Sequence, residues 1–470
     1  MKRLLKMQKS EASFMMKASV NNSLTKFLRD PDIRMILTIF APVFVDMTLN
    51  HLISTIHSWL VAGAGEAAIS GIGLVGTINA LLITLFSSLP SASTIIVSQH
   101  NGAGNLSSAR RCVSHTIILV AFLASVVMAA MLIFPNQLFD LFFTGAAPDV
   151  LSEGKKYMLF SALSLPFYGI FQSFAHLCRG FGNNKVPLYT SVSGSIVNVI
   201  TAFICIKLLG LGVVGAGIGL LISRIYTVIV GSFFFVKNSW FATRQESRHI
   251  EWKSMSAIMK IGLLSNSESL IVNFGGTLKM RFIVAAGTAH IAANSIHGTF
   301  MGLCLVPVSA LSVVAITLVG KYIGAGEREE AKKISLKMVL VGGIIYAVIL
   351  IVALLFFPHL YPLYTENPET LSLLRTMLYI TAPMLCVTQP FVSVITNAFK
   401  SAGDAFNCTL TSVICMWTVN VGLGIFLAAD FGLGLGVIGS LIGTNASTCV
   451  KAVIYFFRYR SGKWIKKKLV

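Results

Sequence analysis

Residues 65–70 read GEAAIS and residues 287–292 read GTAHIA, and the apolar stretch after each ends in a related turn, QHNGAGN at 99–105 and GKYIGAGE at 320–327. The step along the chain from Gly65 to Gly287 equals the step from Gly104 to Gly326. Further on, RGFGN at 179–183 resembles KSAGD at 400–404, and SIVNV at 195–199 resembles WTVNV at 417–421. Turns and helix ends recur at close to one offset, which shared hydrophobicity alone does not produce. The chain is a duplication.

What is duplicated follows from composition. The 470 residues are 55% hydrophobic and 12% charged, with mean hydropathy +0.78; soluble proteins run nearer a quarter charged. Apolar stretches long enough for a bilayer core, about 20 residues each, recur along the whole length. Apolar and polar residues do not alternate as in a membrane barrel. The fold class is therefore an all-α polytopic membrane protein. Runs between breakers predict helices at 33–61, 66–98, 109–134, 150–178, 187–209 and 213–237, then 255–285, 289–320, 331–357, 370–399, 405–428 and 434–457. These are twelve transmembrane helices in two pseudo-twofold-related six-helix lobes, an N-lobe at 33–237 and a C-lobe at 255–457. Six is even, so both copies insert with the same topology and face each other across a cleft. Residues 1–32 form a cytosolic or interfacial lead-in, 238–254 a cytosolic inter-lobe loop and 458–470 a basic cytosolic tail.

The net charge of +19 does not point to nucleic acid. Basic residues gather at the N-terminus, at the C-terminus and in alternate loops, the pattern that sets orientation in a membrane and meets anionic lipid. Only Lys155, Lys156, Lys207, Lys279, Arg281 and Arg375 fall toward the outside, and Arg224 lies within helix 6. The expectation is a multi-pass protein of the plasma membrane with both termini cytosolic. The basic N-terminal stretch lacks the short apolar core and small-residue cleavage site of a signal peptide. The eight cysteines lie mostly within apolar helices without a Cys-x-x-Cys pair, and read as small packing hydrophobes.

The set formed by GEAAISGIGL after helix 1, Gln99 with Gly-Ala-Gly ending helix 2, Arg179-Gly-Phe-Gly-Asn after helix 4, and the second-half copies resembles the multidrug and toxic compound extrusion (MATE) family over roughly residues 33–457. The resemblance implies two six-helix lobes and export driven by a proton or sodium gradient. The solutes it implies are amphipathic, often cationic, small organic compounds.

Ionisable side chains at membrane depth are costly and mark function by default. Asp46 in helix 1 and Glu268 in helix 7 are separated by the same step as the repeated glycines, and so are His57 and Lys279. Each base follows its acid by eleven residues, three turns along one helix face. Asp46 and Glu268 are the candidate ion-coupling residues: a carboxylate in a poorly hydrated cleft is pushed toward its neutral form and can exchange a proton as access changes. The bland alternative is that they bridge helices inside their own lobes, with His57 and Lys279 at the outer interface and Lys279 snorkelling. Arg224 pairs with a carboxylate or reaches the inner headgroups. His57, Gln99, Asn198, Lys279, Gln389 and Asn420 are candidates to line the cleft. Asn198 and Asn420 correspond across the repeat, which also suits a shared structural bond. Set against the family pattern, His57 and Ser58 stand where many members carry Asp and Thr. Asn198 is kept, but Ala202 replaces an Asp four residues on, and Gln389-Pro390 stands in place of a helix 10 Asp. Proton coupling is therefore favoured over sodium.

Gly-Ala-Gly at 102–104 and 324–326 lacks the Lys-Ser/Thr of a phosphate loop and reads as a tight turn. Without a nucleotide-binding domain, pumping requires an ion gradient, and no nucleophile has a plausible base and orienter. His290 and His297 share a helix face but lack a third ligand for a metal. The expected protein is a monomeric transporter, not an enzyme, with no cofactor beyond the coupling H+ or Na+, and with a small-molecule substrate and the lipid bilayer as its partners. The rivals are a flippase for a lipid-linked precursor, which needs a more cationic cleft, and a membrane sensor that no longer transports.

Overall fold

The computed structural model describes residues 29–62, 66–142, 148–241, 252–429 and 432–466. Most of the lead-in, the inter-lobe loop and the end of the basic tail lie outside the described residues. Twelve long helices follow one another: α1 (Pro31–Ala62), α2 (Glu66–Gly102), α3 (Leu106–Ile133), α4 (Pro148–Gly180), α5 (Lys185–Leu208), α6 (Gly212–Lys237), α7 (Trp252–Ala285), α8 (Thr288–Gly324), α9 (Arg328–Leu360), α10 (Pro368–Ser401), α11 (Ala405–Ala428) and α12 (Gly436–Arg460). A short helix, Pro135–Phe142, follows α3. No strand occurs among the described residues. Each predicted helix has its counterpart, and among the described residues ten are long and apolar enough, by length and composition, to cross a membrane.

Two differences from the sequence reading have physical causes. The α2 helix runs beyond the expected end at 98 to Gly102, because the turn needs only the second glycine of Gly-Ala-Gly: Gly104 has φ +74° and its repeat partner Gly326 +85°, values that favour glycine. Secondly, α5 and α11 each widen into a π-helical stretch, Ile204–Leu208 and Met416–Leu423. Such stretches turn side chains to directions a regular helix would not give them.

The two halves are not packed as separate bodies. Ile33, Ile36, Phe40 and Val43 of α1 join a buried cluster built otherwise from the C-lobe, including Leu311, Val314 and Leu318. Reciprocally, Ile258 of α7 joins the buried cluster of the N-lobe. Lys337 of α9 adds an ion pair to both Asp30 and Asp32 at the start of α1, each at 2.6 Å. Its ammonium holds the Asp30 carboxyl below the usual carboxylate range.

The halves meet most closely where α2 and α8 cross. A Cβ added to Gly102 would lie 2.0 Å from the Lys321 carbonyl oxygen, and one added to Gly324 would lie 2.0 Å from that of Gln99. Only glycine permits this backbone approach. The Gln99 side chain then donates from Nε2 to the Ser401 carbonyl at 2.6 Å. Residues 92–100 of α2 are all buried. Toward the other end the same helices part: Ser70, Gly73, Thr77 and Ala80 of α2, and Ser295, Gly298, Thr299 and Gly302 of α8, are exposed. Their glycines have open space where a Cβ would stand. The lobes form a V, closed at the Gly-Ala-Gly end.

Candidate functional site

A cavity of about 550 Å³ lies in the angle of the V, lined from both lobes. Its floor is apolar, formed by Ala92, Ile95, Ile261 and Ile316 above the α2–α8 crossing, and these pack with Ala405 in a small buried cluster. The N-lobe wall is hydroxyl-rich, with Thr84, Ser87, Ser88 and Ser91 on successive turns of α2, and with His176 of α4 beside them. The C-lobe wall carries the charges: Glu268 of α7, Lys400 of α10 and Lys451 of α12.

Glu268 accepts a hydrogen bond and ion pair from Lys400 Nζ at 3.0 Å and a weaker bond from Thr409 Oγ1 at 3.3 Å. The acid comes from mid-α7 and the base from the last turn of α10, where the carbonyl end of a helix favours a cation. The N-lobe holds the same construction. Arg179, in the last turn of α4, donates to Asp46 of α1 at 3.1 Å. Asn50, one turn along α1, donates to the other Asp46 oxygen at 2.8 Å and is itself tied to Ser191 of α5. Asp46 and Glu268 thus occupy equivalent places in the two lobes, as the repeat spacing implies, and each is paired with a base. Their settings differ: Asp46 and Arg179 are 5% and 8% exposed, whereas Glu268 and Lys400 border the cavity.

The remaining candidates scatter. Gln99 is 2% exposed and belongs to the crossing between lobes, not to the cleft wall, because the α2–α8 contact encloses it. Lys279 does not snorkel to the outer interface. It is buried in the C-lobe interior, where it donates to Asn420 Oδ1, to Thr444 Oγ1 at 2.6 Å and to the Ser440 carbonyl at 3.5 Å. Asn420 is accordingly a partner of Lys279, turned toward it within the π stretch of α11. Asn198 has a buried Oδ1 without a partner among the described residues. Gln389 bonds along its own helix to Ser393 at 3.4 Å and does not border the cavity. The His57 side chain lies outside the described residues. Arg224 meets no carboxylate among the described residues: it donates to Ser164 at 2.6 Å and lies 4.6 Å from the Tyr168 ring centroid.

Sequence reasoning did not single out Arg179, Lys400, Lys451 or His176. The first two were within reach, since they open the repeated motifs RGFGN and KSAGD, and so had to be equivalent. Lys451 has no such signal, because a lone lysine near a basic helix end reads as an orientation charge.

Comparison with known proteins bears on what such a cavity is for. The family model described as MatE matches residues 42–204 and 267–426, one segment in each half. The chain is similar to the uncharacterized transporter YisQ of Bacillus subtilis, 25% identical with 91% of this chain and 94% of YisQ covered. It is also similar to a probable multidrug resistance protein, NorM of Thermotoga maritima, 20% identical over 94% and 95% of the two chains. The multidrug resistance protein MdtK of Yersinia pseudotuberculosis is 24% identical, with 93% and 96% covered. Among solved structures, an outward-facing multidrug resistance MATE transporter superposes with TM-score 0.85 at 20% identity, covering 94% of this chain and 98% of that one. A duplicated twelve-helix membrane protein with a cavity between its halves, matched by that family model in both, is a transporter belonging to the multidrug and toxic compound extrusion (MATE) family.

Proposed function

We propose that the protein is a proton-coupled antiporter that exports small organic compounds by alternating access, with Glu268 as the coupling carboxylate. The observation that carries this reading is the Glu268–Lys400 pair at the wall of a cavity that is sealed beneath by the α2–α8 crossing and bordered by both lobes. A proton reaching Glu268 neutralises the carboxylate and dissolves its pairing with Lys400. A basic group on the solute competes for the same oxygens, so proton and solute exclude each other, which is the requirement for exchange. Proton coupling is favoured over sodium because the described hydrogen-bond partners of Glu268 are an ammonium and one hydroxyl. A sodium ion needs a cage of oxygens to replace its water.

The positive ends of the chain are placed in the cytosol, in the plasma membrane, so that the V opens to the outside. The return stroke closes the hydroxyl-bearing face of α2 onto α8 and parts the Gly-Ala-Gly ends. Asp46, sealed against Arg179, is assigned the N-lobe's structural share of the mechanism in place of proton exchange with the cavity.

The test is efflux from proteoliposomes under an imposed proton or sodium gradient, with wild type, Asp46→Asn and Glu268→Gln. The expected result is proton-driven efflux that Glu268→Gln abolishes. Normal pumping by Glu268→Gln sinks the carboxylate mechanism, and efflux driven by sodium alone overturns the choice of ion.

A further inference from the structure

The charged groups around the cavity do not cancel. Glu268 is engaged by Lys400 and Thr409, and the N-lobe wall contributes hydroxyls and His176 but no carboxylate. The N-lobe's own deep acid, Asp46, is turned away against Arg179. Lys451 of α12 is left facing the cavity as a second cation, half-buried, within electrostatic reach of Glu268 and Lys400 and with no bonded carboxylate among the described residues. A cation at membrane depth whose nearest carboxylate is already paired with another cation is expensive.

The repeat shows that the fold itself does not need this lysine. The sixth helix of each lobe opens alike, with Gly212-Val-Val-Gly in one and Gly436-Val-Ile-Gly in the other. With those openings aligned, Lys451 corresponds to Thr227, which is buried and packs against Gly194. One lobe uses a packing residue at this place, and the other directs an ammonium into the cavity.

We infer that Lys451 is an anion-anchoring residue of the cavity, and that the exported solute carries an anionic group, a carboxylate, sulfonate or phosphate, beside the basic group contested at Glu268. On this assignment the solute's ammonium takes the place of Lys400 at Glu268. Its anionic group is received by Lys451 and the released Lys400, with the α2 hydroxyls as further donors. Every charge in the loaded cavity then has a partner. The inference rests on the transport reading above for its direction, but not for the binding it requires.

The test separates the two. Binding to the detergent-solubilised full chain is measured for three indoles that share one ring body: tryptamine, a cation; tryptophan, a zwitterion; and indolepropionate, an anion. Wild type is expected to bind tryptophan about tenfold more tightly than tryptamine. Lys451→Met should remove that preference by weakening tryptophan while tryptamine binds no less tightly than to wild type, and Lys451→Arg should restore it. Tryptamine binding as tight as tryptophan, an unaffected Lys451→Met, or no binding by any of the three overturns the anchor. Competition by chloride, sulfate or inorganic phosphate that is itself lost in Lys451→Met assigns the site to an inorganic anion and overturns the organic solute. A Lys451-dependent preference that phosphatidylglycerol in nanodiscs abolishes assigns the site to a lipid headgroup and does the same. If the preference is found but no proton gradient moves tryptophan in proteoliposomes, the transport reading fails and the anchor stands.

Discussion

Asp46 with Arg179 and Glu268 with Lys400 are one device built twice, an acid from the first helix of a lobe and a base from the last turn of the fourth. In the N-lobe the pair is closed over, with Asn50 and Ser191 completing its hydrogen bonds. In the C-lobe the same pair faces a cavity, and among the described residues its carboxylate has one further hydrogen-bond partner, Thr409. Duplication supplied two equivalent acid sites, of which one is enclosed and the other borders the cavity. An ion pair's position in the repeat therefore does not fix its surroundings.

Removing the bases should affect the two lobes unequally. Arg179→Met strands a buried carboxylate, which should cost about 3–5 kcal/mol and lower the thermal midpoint in detergent markedly. Lys400→Met leaves Glu268 at the cavity beside Lys451, and should lower the midpoint less than Arg179→Met does. Equal losses in the two variants would show that the lobes are not divided as described.

Reversing the C-lobe pair sharpens the point. Glu268→Lys combined with Lys400→Glu keeps an ion pair and should preserve the fold by thermal unfolding, yet it moves the carboxylate from α7 to α10. Proton-driven efflux should then fall by about tenfold or more, since coupling depends on where the charge sits to within a turn. The seam gives a smaller, conformational effect. Gly324→Val drives a side chain into the Gln99 carbonyl, and should speed labelling of a cysteine placed at the buried Ser98 position several-fold from the Gly-Ala-Gly side.

The smallest effect concerns the clasp of Lys337 on Asp30 and Asp32. Because Lys337 depresses the Asp30 carboxyl in the folded protein, the clasp contributes above the ordinary carboxylate pKa and is lost as pH falls through the lowered one. Asp30→Asn should shift the thermal midpoint by less than about 2 °C at neutral pH, and the difference from wild type should vanish in acid.

Much of the architecture was legible in the sequence because apolar length and charge distribution act over whole helices. The repeated motifs fixed the equivalence of Asp46 and Glu268 before any geometry was known. The partners of these acids were hidden for a different reason. Arg179 and Lys400 sit in last turns beside predicted loops, where a cation reads as cytosolic, and only tertiary packing brings them back over α1 and α7. Lys279 was misplaced because its spacing from Glu268 does return it to the same helix face. The packing of α11 and α12 then encloses that level of the face while Glu268 remains open. Gln99 was misread because a polar residue at a helix end gives no hint that a neighbouring glycine lets another backbone settle on it.

The exchange of first helices has a consequence for how the molecule is made. The inner half of α1 finds its buried neighbours in residues such as Leu311 and Val314, which the ribosome adds only while making α8. When the first six helices have been inserted, Ile33, Ile36, Phe40 and Val43 still lack these buried neighbours. Maturation thus waits on the second half, and the two halves synthesised as separate polypeptides should rescue one another in the same cell while either by itself is degraded.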